Sequence, residues 1–229
     1  MTKDELAARL LYRDAMMLVI NKPGGIAVHR GPKGGESLED HFHVLRFGLP
    51  RNPSLAHRLD RETSGCLVLG RHRRALEKLG LLFKQGKVQK IYWAIVEGSP
   101  AEVEGLIDLP LKRLDPGRGW WMKADPSGAP AQTRWRVRGR GPGLSLLELS
   151  PLTGRTHQLR VHCAALGWPI LGDCIYGRGG TRLHLHAKAI MIPFYKGRAA
   201  VQVEAPLPQH MREGVALCGL AELAGEMGV

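Results

Sequence analysis

Apolar residues recur along this chain with two periods, and the changes of period mark out its elements. Residues 4 to 11 have helical spacing, with Leu6, Leu10 and Leu11 on one face. Met16 to Ile20 is a short apolar run that reads as a strand, stopped by the turn cluster Asn21-Lys22-Pro23-Gly24-Gly25. A second glycine-rich loop spans Gly31 to Gly35. Ser37 then reads as a helix N-cap, because Asp40 follows three residues on and Leu38, Phe42 and Leu45 begin a helical pattern. Residues 65 to 70 are a buried-type strand, and residues 72 to 84 return to helical spacing through Leu76, Leu79 and Phe83. Lys90 to Val96 alternates strictly, with Ile91, Trp93 and Ile95 on one face and Tyr92, Ala94 and Val96 on the other. Strands are predicted near 132 to 137, 145 to 149, 183 to 192 and 201 to 205. Helices are predicted from Thr156 to about Leu166 and from about Met211. Strands outnumber helices and the connections vary in length, which suits an α+β fold better than regular βαβ units.

Composition adds little until charge is counted. The 229 residues are 44% hydrophobic and 24% charged, enough for a packed core without metals or disulfides. Lys and Arg number 33 against 21 acids, a net charge of +12. Such an excess favours polyanions, because each neutralised phosphate releases counterions. With no basic amphipathic anchor to suggest a membrane surface, nucleic acid is the expected partner. Between Lys112 and Arg140 lie eight basic residues, two aspartates and Trp120, Trp121 and Trp135, a composition suited to gripping a phosphate backbone and stacking on bases. A solvated connection with core tryptophans has the same composition. Cys66, Cys163, Cys174 and Cys218 form no Cys-x-x-Cys pair and read as buried thiols in a reducing cytoplasm. The charged N-terminus lacks a signal-peptide core, and no apolar run is long enough to span a bilayer.

Two segments concentrate chemistry. His57-Arg58-Leu59-Asp60-Arg61-Glu62-Thr63-Ser64-Gly65 sets carboxylates among guanidinium and hydroxyl groups, just before a buried strand. A carboxylate held ionised there can serve as a nucleophile; read alone, the segment is equally a salt-bridged loop. In Gly154-Arg155-Thr156-His157-Gln158-Leu159-Arg160-Val161-His162, Thr156 can cap a helix. His157 and Arg160 share a helical face. Arg155 beside the helix start offers a phosphate site, and Arg160 can pair with a buried carboxylate. A third segment, Lys90-Ile91-Tyr92, places a tyrosine that can stack on a base and move a proton.

Together these segments resemble the RluA family of RNA pseudouridine synthases. The run from His57 to Gly65 is similar to that family's His-Arg-Leu-Asp-x-x-Thr-Ser-Gly signature, and Asn21-Lys22-Pro23-Gly24 to its N-terminal motif. Lys90-Ile91-Tyr92, Gly154 to His162, Leu171-Gly172-Asp173 with Tyr176, and Leu185-His186-Ala187 follow in the family's order. The resemblance implies a pseudouridine synthase fold: α+β, with a mixed, largely antiparallel central β-sheet flanked by helices and loops, forming a cleft. It implies one catalytic domain over residues 1–229, made of two fused subdomains, without the S4 domain that precedes the core in some relatives. Asp60 falls on the catalytic aspartate, Tyr92 on the active-site tyrosine and Arg160 on the arginine that pairs with the aspartate. Arg58 resembles the arginine that fills the space of the flipped nucleotide. Arg61, Arg155, His157 and Leu185 are expected on the substrate.

The reaction so implied breaks the N1–C1′ bond of uridine and forms a C5–C1′ bond. As an isomerisation it calls for no cofactor and no metal. The base must leave its stack to react. Attack on C1′, addition to C6 and removal of a ribose proton are all open to such a carboxylate. Ribosomal RNA, transfer RNA or both are the expected substrates, met by a cytoplasmic monomer needing no protein partner. Two other classes remain. A metal-dependent hydrolase could draw on His157, His162, His184 and His186, although no acid accompanies the last two. A non-catalytic RNA-binding module would account for the charge and the tryptophans, but not for Asp60, Tyr92 and Arg160 in their contexts.

Overall fold

The computed structural model describes residues 3–31, 34–115 and 121–225, without the side chains of residues 3 and 4. In chain order the elements are α1 (Lys3–Ala7), β1 (Leu10–Arg13), β2 (Met17–Lys22), a 3-10 helix (Leu38–Leu45), β3 (Ser54–Leu55), β4 (Ser64–Gly70), α2 (Arg73–Lys84), β5 (Gln89–Glu97), β6 (Glu104–Asp108), β7 (Leu111–Arg113), β8 (Met122–Ala124), β9 (Gln132–Gly141), β10 (Leu144–Pro151), α3 (Gln158–Ala165), β11 (Leu185–Ile192), β12 (Val201–Glu204), α4 (Gln209–Leu217) and α5 (Ala221–Ala224). The chain forms two compact units. One comprises Met1–Gln89 and Ala187–Ala205, the other Lys90–His186 and Pro206–Val229. The architecture is α+β and rich in antiparallel strands, in line with the expected fold class. Among the described residues no helix is long and apolar enough to cross a membrane.

In the first unit, β1–β2, β2–β4, β3–β4 and β11–β12 all pair antiparallel. All seven residues of β4 are buried, as their unbroken apolar run predicts. Over this sheet lies α2, burying Ala75, Leu79 and Leu82. The predicted first helix is shorter than its periodicity implies: it stops at Ala7, and Leu10 and Leu11 belong to β1. A run of three large residues, Leu10-Leu11-Tyr12, fits a strand as readily as a helix, and pairing with β2 decides. Ser37 caps its helix as predicted. The Asp40 carboxylate accepts from the Ser37 backbone N–H at 2.9 Å and from its hydroxyl at 3.0 Å, although the helix is of the tighter 3-10 kind.

In the second unit the strand order is β5-β10-β9-β6, with every pairing antiparallel. Trp93, Ile95 and Leu146 on one face pack against Leu207, Met211, Val215 and Cys218. The basic segment from 112 to 140, expected as a loop around the strand near 132 to 137, also carries the antiparallel pair β7–β8, and its expected strand is β9, extended to Gly141. Trp135 is a core residue, edge-on to Trp168 at 5.2 Å, whereas Trp121 is exposed beside β8. Trp120 lies outside the described residues. The helix from Thr156 also starts later than expected. His157 is its N-cap, in left-handed backbone at φ 52°, and no side chain caps it. Cys66, Cys163 and Cys218 are buried as expected, but Cys174 is exposed.

Candidate active site

Asp60 opens a turn in which the Thr63 N–H donates to the Asp60 carbonyl at 3.2 Å. This turn is clamped by the first glycine cluster. The Lys22 ammonium is wholly buried and spends its three protons on backbone carbonyls: Pro23 at 2.8 Å, Arg61 at 2.9 Å and Thr63 at 2.9 Å. The Gly25 N–H donates to the Arg61 carbonyl at 2.9 Å, and Arg61 Nε returns a bond to the Gly25 carbonyl at 2.9 Å. A side chain on Gly24 would stand 2.9 Å from the Glu62 carbonyl oxygen, so the two turns meet backbone to backbone. Below them Gly65 has φ 106°, and a Cβ there would fall 2.3 Å from the Ala187 carbonyl oxygen. Glycine alone meets both conditions. The N-terminal motif and the signature are therefore one structural device that fixes the backbone of Asp60. Asp60 itself is half-buried, while Arg58 and Arg61 are exposed.

Burial pushes the Lys22 ammonium down to about 8, against the upward pull of Glu62 and Asp60. Between that value and its ordinary one, near 10.4, the unfolded chain holds a proton that the folded chain has shed. Stability contributed at this site therefore rises with pH across that window. Lys22→Met removes the ammonium's bonds to three carbonyls, of which Arg61 alone keeps the Gly25 N–H, and should cost about 2 kcal/mol or more. In urea titrations the stability gap between wild type and K22M is expected to widen from pH 7.5 to pH 9.5. A gap that narrowed would contradict the burial of a titrating ammonium.

The second unit positions the other candidates. Tyr92 is buried on β5, on the strand face shared with Ala94 and Val96. Arg160, buried on α3, makes a two-pronged pair with Asp173: Nε to Oδ2 at 2.7 Å and Nη2 to Oδ1 at 2.7 Å. Asp173 Oδ1 also accepts from the N–H groups of Ile175 and Tyr176. Burial pushes the Asp173 carboxyl up, but the Arg160 hydrogen bond and charge outweigh it, and the group lies below the usual carboxylate range. Within this unit the buried carboxylate that Arg160 meets is Asp173.

The start of α3 is fixed by Gln158. Its Oε1 accepts from the Thr153 hydroxyl at 2.7 Å and the Arg155 N–H at 3.0 Å. Its Nε2 donates to the Gln132 carbonyl and to Thr133 Oγ1. Thr133 in turn meets His162 Nδ1 at 3.0 Å, and His162 Nε2 donates to the Leu109 carbonyl at 3.0 Å. A buried polar network satisfied in this way locks one orientation of the helix. Arg155 is exposed, with its Nε on the Pro130 carbonyl, and Leu185 is buried at the start of β11.

His157, which caps α3 from left-handed backbone and so does not share the helical face expected from its spacing, still meets the same ring as Arg160. The His157 Nδ1 lies 2.8 Å from the Tyr176 hydroxyl, and the Arg160 guanidinium stands 5.3 Å from the Tyr176 ring centroid. Lys22, Asp173 and Gln158 were not among the site residues expected from sequence. A lysine inside an Asn-Lys-Pro-Gly turn was the available sign, since such a turn is otherwise a poor place for an apolar stem. The four histidines of the metal reading are scattered among other partners. His184 sits between the Arg182 and His210 carbonyls, and among the described residues no metal-holding cluster forms.

Comparison with known proteins gives the family. The family described as RNA pseudouridylate synthase matches residues 16–165. An uncharacterized RNA pseudouridine synthase of Zymomonas mobilis is 45% identical over 210 residues, covering 89% of this chain and 95% of that protein. The ribosomal large subunit pseudouridine synthase C of Haemophilus ducreyi is 36% identical, over 91% of this chain and 68% of its own. Among solved structures, human RNA pseudouridylate synthase domain containing 4 aligns with a TM-score of 0.80 at 27% identity, covering 95% of each chain. Human RNA pseudouridylate synthase domain containing 1 aligns at 0.75 and 32% identity, over 91% of this chain and 86% of that one. With its motifs, its fold and these relatives in agreement, the chain belongs to the RNA pseudouridine synthases of the RluA type and is an isomerase of uridine in RNA.

Proposed function

We propose that the enzyme modifies large-subunit ribosomal RNA with Asp60 as its nucleophile. One observation carries the assignment of Asp60: its turn is held by the buried Lys22 ammonium through main-chain oxygens, which leaves the carboxylate on a fixed backbone. The substrate class follows relatives at 34 to 36% identity named for the large ribosomal subunit. Tyr92 stacks on the target base and moves a proton, and Arg160 pairs with Asp60. Arg58 takes the place of the flipped nucleotide, while Arg61, Arg155, His157 and Leu185 contact the substrate. The N1–C1′ bond breaks, the base turns, C5 bonds to C1′, and the C5 proton is surrendered as N1 gains one. No cofactor enters that balance. The charge of +12 supplies affinity for the phosphate backbone. One catalytic domain over residues 1–229, monomeric and cytoplasmic, acts without a protein partner.

The test is pseudouridine mapping of unmodified large-subunit ribosomal RNA and transfer RNA transcripts after incubation with the protein. Pseudouridine at a defined large-subunit site is the expected result. Modification confined to transfer RNA would overturn the substrate assignment.

A further inference from the structure

Outside the proposed catalytic groups, Tyr176 is the residue that draws most of the second unit's chemistry onto one side chain. Its hydroxyl accepts from the Met122 N–H at 2.8 Å, at the first residue of β8. The same oxygen lies 2.8 Å from His157 Nδ1. The Met122 amide can only donate, so the hydroxyl oxygen is an acceptor toward the hairpin and a hydrogen-bond partner of His157 Nδ1 at the same time. The Tyr176 ring meets His157 edge-on at 5.7 Å and lies under the Arg160 guanidinium. Its backbone N–H donates to the same Asp173 oxygen that binds Arg160 Nη2.

On the other side of this oxygen is the β7–β8 hairpin, with exposed Lys112, Arg113 and Lys123 and the neighbouring Trp121. His157, in turn, occupies left-handed backbone that a residue with a side chain adopts at a cost, so its placement needs an outside hold.

We propose that Tyr176 is a positioning residue, coupling the seating of the basic hairpin on RNA to the orientation of His157 and Arg160. The inference rests on the reading of Arg160 and His157 as site residues. Tyr176 acts through them and touches no reacting atom.

Two variants test it. Tyr176→Phe removes both hydroxyl bonds and keeps the ring. Met122→Pro removes the hairpin's donor to Tyr176, and with it the packing of Met122 on Leu111, Ala131 and Val161, for which Met122→Ala, which keeps the N–H, is the control. The probe is a large-subunit ribosomal RNA transcript labelled with tritium at uridine C5, assayed by tritium release in single turnover. Both variants are expected to lower the rate constant about tenfold or more, the scale of a small misplacement, with RNA affinity within about threefold. Nitrogen NMR of labelled histidine should show the tautomer balance of His157 shifting between wild type and Y176F, because the hydrogen bond at Nδ1 is lost. Wild-type turnover by M122P would overturn the coupling to the hairpin. A melting temperature that fell in proportion to the rate in both variants would reduce Tyr176 to a structural residue. Asp60→Asn, run alongside, separates the two readings: turnover by D60N would refute the catalytic assignment itself, whatever Y176F does.

Discussion

Asp60→Asn is expected to lower the single-turnover rate of tritium release by about 10⁴-fold or more, the scale seen when one member of a covalent catalytic group is lost. RNA affinity should stay within about threefold. The amide has the shape of the carboxylate, so what disappears is the charge and the nucleophilic oxygen pair. The turn that carries residue 60 is fixed by main-chain groups, including the bond from the Thr63 N–H to the residue-60 carbonyl, and these do not depend on the side chain. Loss of binding in parallel with loss of rate would mean that the carboxylate supports the fold, and would remove it from the mechanism.

Asp173→Ala should destabilise the protein by about 3 to 5 kcal/mol, the range for removing one member of a buried ion pair. Arg160 and Asp173 are 4% and 1% exposed, so neither finds water when its partner is gone. The alanine variant takes two charged hydrogen bonds from the Arg160 guanidinium and the acceptor from two backbone N–H groups, those of Ile175 and Tyr176. The acid side of the stability profile makes a second check. The Asp173 carboxyl is held below its ordinary value, so its contribution is complete above the unfolded value near pH 4 and is lost as pH falls through the folded one. Urea midpoints of wild type should therefore drop more steeply than those of D173A between about pH 4 and pH 2. A difference under about 1 kcal/mol at pH 7 would contradict the reading of Arg160 and Asp173 as a buried ion pair.

What could be read from sequence was whatever depends on local spacing. The alternation of Lys90 to Val96 gives β5 with the correct residues on each face, and the helical spacing after residue 72 gives α2. Where spacing is ambiguous, long-range pairing decides: Leu10-Leu11 reads as helix until β2 is placed beside it. The strand expected near 132 to 137 is β9, which runs on to Gly141: Arg134, Arg136 and Arg138 alternate with Trp135 and Val137, but beyond Val137 no further apolar residue marks the period of two. Two of those arginines are paired across strands, Arg136 with Glu104 at 2.8 Å and Arg138 with Glu148 at 3.4 Å. The site was legible as motifs but not as a mechanism of support. Nothing in the spacing announces that Lys22 reaches residues 61 and 63, thirty-nine and forty-one positions away, or that Asp173 meets Arg160. Those contacts are products of the fold.

The grip of Lys22 has a consequence for how such an enzyme can diversify. An ammonium that reads only peptide oxygens is blind to the side chains mounted on them. Glu62, one of the two variable letters of the signature, lies between two residues whose carbonyls are tethered, Arg61 and Thr63. Its side chain can be exchanged to greet a different RNA while the neighbouring carboxylate stays where it was.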